Sequence, residues 1–126
     1  MEAALIAALL SAPGVSALAG TRVWPLRRPQ GSDLPAVTLR RISGAPLQSH
    51  DGPASLARAR VQVDVWAHSY AAAKALRGAV AAVLDAAATP AGEIRAVRRL
   101  DERDLSEADG RLVRISLDFE LWHQET

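Results

Sequence analysis

The sequence predicts an α+β fold: a single antiparallel sheet, with room for a mixed edge, carrying an N-terminal helix and one long helix on one face. Three observations lead there. Residues 57–68 alternate apolar and polar side chains at period two. Residues 70–88 change to a helical period, with Leu76, Val80, Val83, Leu84 and Ala87 on one stripe. Residues 111–123 return to period two, with Val113, Ile115, Leu117, Phe119 and Leu121 on the inner face. The remaining segments complete the order α-β-β-β-α-β-β in 126 residues. That length suits one domain over 1–126.

The first helix is expected over Ala3–Leu10, where Leu5, Ile6, Leu9 and Leu10 form a stripe. Glu2 and the lack of Lys or Arg ahead of this run argue for a retained amphipathic helix rather than an export signal. Pro13-Gly14 stops it, and Val15–Ala19 adds one helical turn closed by Gly20. Thr21–Trp24 is a short strand stopped by Pro25, and residues 26–34 read as a loop. Pro35 opens the next strand, Ala36–Ser43, in which Ile42 breaks the alternation and predicts a bulge or a second buried face. A connection at 44–56 follows, long enough to suggest a functional or disordered segment.

Ala57–His68 is the clearest strand. Its twelve residues are long enough to project beyond the sheet. Ser69 is placed to cap the long helix, which Thr89-Pro90 ends. Ile94–Leu105 is a strand with a charge-dense second half, Ala108-Asp109-Gly110 a turn, and Arg111–His123 the last strand. Its outward row is Arg114, Ser116, Asp118, Glu120 and Trp122.

Composition limits the functions available. Of 62 apolar residues 26 are alanine, leaving 36 larger ones, so the core is thin and partner subunits are the obvious further source of burial. Fifteen basic residues meet fourteen acidic ones, a balance that disfavours autonomous binding to nucleic acid. No cysteine is present, which removes disulfides, thiolate metal sites and cysteine nucleophiles. No apolar stretch approaches a membrane span.

Catalytic spacing is missing as well: there is no Gly-rich phosphate loop, no H-E-x-x-H and no G-x-S-x-G. His50-Asp51 would suit a base with an orienting carboxylate, or simply a turn. Asp64 and His68 share a strand face but stand roughly 13 Å apart along it, too far to share a metal. Trp66 and Trp122 lie on the polar faces of their strands. Either a helix or loop of the same chain covers them, the N-terminal helix for example, or they mark a protein interface. The pairs Arg27-Arg28, Arg40-Arg41 and Arg98-Arg99 are either solvated beside acidic neighbours or part of a basic surface.

The assembled pieces resemble a known family. They are Gly20-Thr21-Arg22-Val23-Trp24-Pro25 after a short helix, Leu34-Pro35-Ala36-Val37-Thr38-Leu39, and the loop His50-Asp51-Gly52-Pro53. Ala59–Ala67 running into Tyr70–Leu76, then Asp101–Asp104 and Ser116–Phe119, complete the match. Order and spacing carry it over nearly the whole chain, and it is to the tail completion or tail terminator proteins of long-tailed phages and gene transfer agents. The resemblance implies a structural particle protein without catalytic residues, cofactor, metal or membrane contact. It implies a homo-oligomeric ring, commonly a hexamer, on the head-proximal end of the tail tube. There it would stop tube growth and meet a head-side connector, with DNA passing through its lumen as cargo. The expected subunit or tube contacts are Arg40, Arg41, Gln48, His50, Asp51, Arg58, Trp66, Arg98, Arg99, Asp101, Glu102, Arg103 and Trp122. Another connector of the same particle, or a small enzyme or binding module using His50 and Asp51, are the alternatives.

Overall fold

The computed structural model describes residues 1–46, 56–107 and 111–124. Among these residues three helices and five strands follow in the order α1 (Glu2–Ser11), α2 (Pro13–Ala19), β1 (Val23–Pro25), β2 (Ala36–Pro46), β3 (Leu56–Ala67), α3 (Tyr70–Asp85), β4 (Ile94–Glu107) and β5 (Leu112–Gln124). The strands form one sheet in the order β1-β2-β3-β5-β4. All neighbours are antiparallel except β1 and β2, which run parallel, so the sheet is mixed.

The break at Pro13 works as a joint rather than a stop. Ala12 is extended (φ −82°, ψ 120°), as a residue before proline prefers, and Pro13 then occupies the first turn of α2, where its missing N–H costs nothing. The two short helices meet at 82°. No single helix is long and apolar enough to cross a membrane. Leu5, Leu9 and Val15 from the bent pair and Ala73, Leu76, Val80 and Leu84 from α3 join one core with Val37, Leu39, Val61, Val63, Val65, Ile115, Leu117, Phe119 and Leu121 of the sheet. The helices therefore share one face of the sheet, as period two on the strands requires.

Ser69 caps α3: its hydroxyl accepts a hydrogen bond from the Ala72 N–H at 3.1 Å. Ser69→Ala is expected to cost about 1 kcal/mol, read from urea unfolding midpoints. The helix ends at Asp85 rather than Ala88, because the chain leaves helical geometry at Ala86. Alanines on one face of β3 and on α3 pack within the chain. Ala57, Ala59, Ala67, Ala73 and Ala81 are all buried.

The bulge expected at Ile42 is present, since the β2–β3 register shifts between Arg41 and Ser43. The connection is shorter than 44–56, because β2 remains paired through Gly44↔Ala59, Ala45↔Arg58 and Pro46↔Ala57. Its remainder, including Gln48, His50 and Asp51, lies outside the described residues.

The parallel β1 decides where the loop at 26–34 goes. Pro25 leaves the sheet opposite Leu39, and the chain must re-enter at Ala36, at the other end of the short parallel pair. Ala36 stands beside Trp66 of β3. The returning segment therefore passes Trp66 on the face that carries no helix.

Candidate assembly interface

The outer face of the sheet, away from the helices, carries Thr38 and Arg40 of β2, Arg58, Arg60, Gln62, Asp64 and Trp66 of β3, and Arg114, Ser116, Asp118, Glu120 and Trp122 of β5. Arg98, Asp101 and Arg103 of β4 complete it. Period-two patterning marks these as exposed, yet Ser116 and Asp118 are buried at 0% and 3% exposure. They sit in the central strands, and long arginine side chains from both neighbours lie over them.

Asp118 is the hub. Arg60 reaches its Oδ2 at 3.0 Å and Arg103 reaches the same oxygen at 3.1 Å. Arg103 also donates to Ser116 Oγ at 3.1 Å and to Asp101 at 2.8 Å. Burial pushes the Asp118 pKa up, but hydrogen bonds from Arg103 and Arg60 outweigh it and hold the carboxyl below its usual range. The Asp118 and Asp101 hydrogen bonds likewise raise the Arg103 pKa.

A second chain of contacts runs toward the β1 end. Arg40 donates to Gln62 at 3.5 Å, and the Gln62 amide donates to both oxygens of Asp64 at 3.0 and 3.1 Å. Arg114 stands 3.6 Å from Asp64 and stacks on Trp66, 5.0 Å from the ring centroid. Arg28, from the returning loop, covers Trp66 at 4.6 Å, while the indole N–H donates to Thr38 Oγ1 at 3.0 Å. Trp66 is thus covered by its own chain, and by the loop rather than by the N-terminal helix, which is on the opposite face. Trp122 lies at the far end, beside Arg58. Eight residues of strand separate Arg58 from Trp66, roughly 27 Å, so the two tryptophans do not form one patch. Among the described residues no group of three or more His, Cys, Asp or Glu could hold a metal ion.

The charge-dense part of β4 divides between the two faces. Arg98 pairs with Glu120 at 3.0 Å on the outer face, with Asp101 and Arg103. Arg99, Glu102 and Asp104 turn toward α3. Glu102 meets Arg77 at 2.7 Å, Asp104 accepts from the Tyr70 hydroxyl at 2.8 Å, and Arg99 pairs with Asp85. The Asp104 hydrogen bond raises the Tyr70 pKa. These contacts fasten an edge strand to the helix beneath it. Exposed pairs of this kind are each worth about 0–1 kcal/mol, so their role is orientation more than stability.

Among the described residues two stretches of sheet edge remain open. β1 pairs only with Val37–Leu39, leaving β2 from Arg40 to Pro46 without a described strand on its outer side. Arg40, Arg41, Ile42, Ser43 and Gly44 are all exposed there. The opposite edge is β4 itself. Near the β2 edge a groove of ≈ 390 Å³ is lined by Ser43, Gly44, Arg58, Ala59, Arg60 and Glu120. Sequence patterning did not single out Leu26, which is 71% exposed and held at φ 68°, a conformation leucine rarely adopts. Only the positive φ marks it, and a sequence does not display that.

The model of the family described as Tail completion protein gp17 matches residues 3–124. A chain in the solved structure described as "Virion of native gene transfer agent (GTA) particle" superposes with a TM-score of 0.73 at 20% identity, over 99% of this chain and 95% of that one. At that identity the likeness is one of fold. No curated protein matches. A family match over all but the four terminal residues thus falls on a chain whose notable chemistry is a salt-bridged sheet face between two open edges. This protein belongs to the Tail completion protein gp17 family, and it is a structural protein of the phage-type tail in the virion.

Proposed function

We propose that this protein is a tail terminator: a ring, hexameric as the family resemblance implies, that caps the head-proximal end of the tail tube. The observation that carries the reading is the family match along 3–124. The fold-level likeness to a chain of a gene transfer agent virion, which spans both chains almost completely, supports a particle of that kind. The fold supports it further. A closed ring needs two different surfaces on each subunit, related by a rotation that closes, and this sheet offers an open edge on either side. The tube protein would meet one rim of the ring and the head-side connector the other, with DNA as cargo in the lumen.

The residues named from the sequence keep distinct parts in this proposal. Arg40, Arg41 and Arg58 stand on or beside the open β2 edge and groove. Arg98, Arg99, Asp101, Glu102 and Arg103 shape the β4 edge through pairs within the chain. Trp122 flanks Arg58, and Trp66 anchors the returning loop.

Electron microscopy of the purified protein mixed with tail tubes tests the reading. A ring at one end of each tube, and shorter tubes when the protein is present during polymerisation, are expected. Tubes that grow past the protein without binding it would overturn the proposal. Binding to the connector but not to tubes would make the protein a stopper or adaptor instead.

A further inference from the structure

We infer that copies of this chain join edge to edge, the open β2 edge at 40–46 of one copy pairing antiparallel with β4 of the next, with Ile42 meeting Leu100 at the junction. The inference rests on the ring reading and names the contact that would build the ring.

Strand polarity allows it. β2 is antiparallel to β3, β3 to β5, and β5 to β4, so β2 and β4 run in opposite directions at the two sides of the sheet. A neighbour placed by rotation about an axis along the strands brings its β4 beside β2 in antiparallel pairing. The same contact then repeats from copy to copy, which is the head-to-tail arrangement a closed ring requires.

The irregularities of the two edges flank one row of the sheet, from its two sides. The register runs Arg41, Val61, Phe119, Arg99 along one row, and Arg40, Gln62, Asp118, Asp101 along the next. β2 has its bulge between Arg41 and Ser43, and β4 has one between Arg99 and Asp101. Each bulge therefore borders the same row, at opposite edges. Each carries an exposed large apolar residue, Ile42 at 47% and Leu100 at 36% exposure. Leu26, strained and exposed, follows the last pair of β1 at the same side as β2. Strain held at an exposed apolar residue points to a use outside the free subunit.

Charge and bulges also limit what can pair. Bulges and charges on an edge normally discourage indiscriminate strand addition. An edge with its own bulge beside the same row is the partner that these features admit. In level pairing, Arg40 of one copy faces Asp101 of the next on the outer side of the sheet, while Arg41 faces Arg99, whose charge is already met by Asp85 of its own chain. Arg40 has only a long hydrogen bond to Gln62 among the described residues. Asp101 is half exposed and can accept a further cation beside Arg103.

The chain contains no cysteine, so introduced ones report a single contact. An Ile42→Cys chain and a mass-tagged Leu100→Cys chain are mixed on tail tubes and treated with a short thiol cross-linker. The heterotypic dimer is expected in about tenfold excess over either homotypic dimer, because a head-to-tail contact presents only unlike edges. Rings that give only a statistical mixture, or no cross-link, would overturn the edge contact while leaving the ring reading intact. No ring on tubes would remove both. A charge exchange gives an independent measurement. Arg40→Asp and Asp101→Arg should each weaken ring formation by about tenfold, and the combined variant should restore it. A combined variant as weak as the single ones would overturn the inference.

Discussion

Replacing Arg60 and Arg103 together by alanine should destabilise the fold by about 3 kcal/mol near neutral pH, the typical cost of leaving a buried carboxylate without its partners. Asp118 is 4% exposed in its side chain, and these two guanidiniums are its ion-pair partners among the described residues. The arginines themselves are 46% and 40% exposed and lose little by removal. The cost therefore falls on the carboxylate left behind. Its pH dependence is diagnostic. In the unaltered protein the Asp118 pKa is held below its usual value, so its stabilisation is present above about pH 4 and is lost as pH falls through the depressed pKa. In the double variant burial acts alone and raises the pKa. The native state then binds the proton more tightly than the unfolded chain, and protonation relieves the cost. The stability gap between the two proteins should be widest near pH 7 and shrink below about pH 4. Urea unfolding at several pH values measures it. A gap independent of pH would show that Asp118 is not the source.

Phe119→Ala is the other large effect, expected at about 4 kcal/mol. Phe119 is the largest of the fully buried side chains, at 0% exposure, and sits opposite Val61 in the middle of the sheet. It is also the only phenylalanine in a chain rich in alanine, so few neighbours are large enough to close the space left behind. For a chain of this size the loss corresponds to a fall in Tm of roughly 15 °C. Calorimetry decides it; a fall of only a few degrees would mean that the core around α3 collapses into the cavity. Because rings stabilise their subunits by mass action, both measurements belong at a concentration where the protein is monomeric.

Local rules made much of this chain readable. Period two in 57–68 and 111–123 placed the central strands, and the helical period placed α3, because burial on one face repeats its signature along the chain. Ser69 as a cap and Ile42 as a bulge also follow from single positions. The arginine-carboxylate face was only half visible. That Asp64 and Asp118 lie on outward rows is a matter of alternation, but that Asp118 is buried depends on its strand being central, between arginines brought from β3 and β4. The pairing of Arg77 with Glu102, or of Arg99 with Asp85, likewise joins segments whose separation gives no local sign of contact.

The α+β class, the helix and strand types and the shared core face were all encoded in short-range pattern, since each depends on how neighbouring residues repeat, while family membership was carried by the order and spacing of segments along the chain. The parallel placement of β1, the loop it sends over Trp66, and the bulges flanking one row at the two open edges were decided by tertiary structure. Each of them depends on which strands become neighbours. Strand order is chosen by the total burial and hydrogen bonding of the folded sheet, a sum over distant segments that no local stretch of sequence contains.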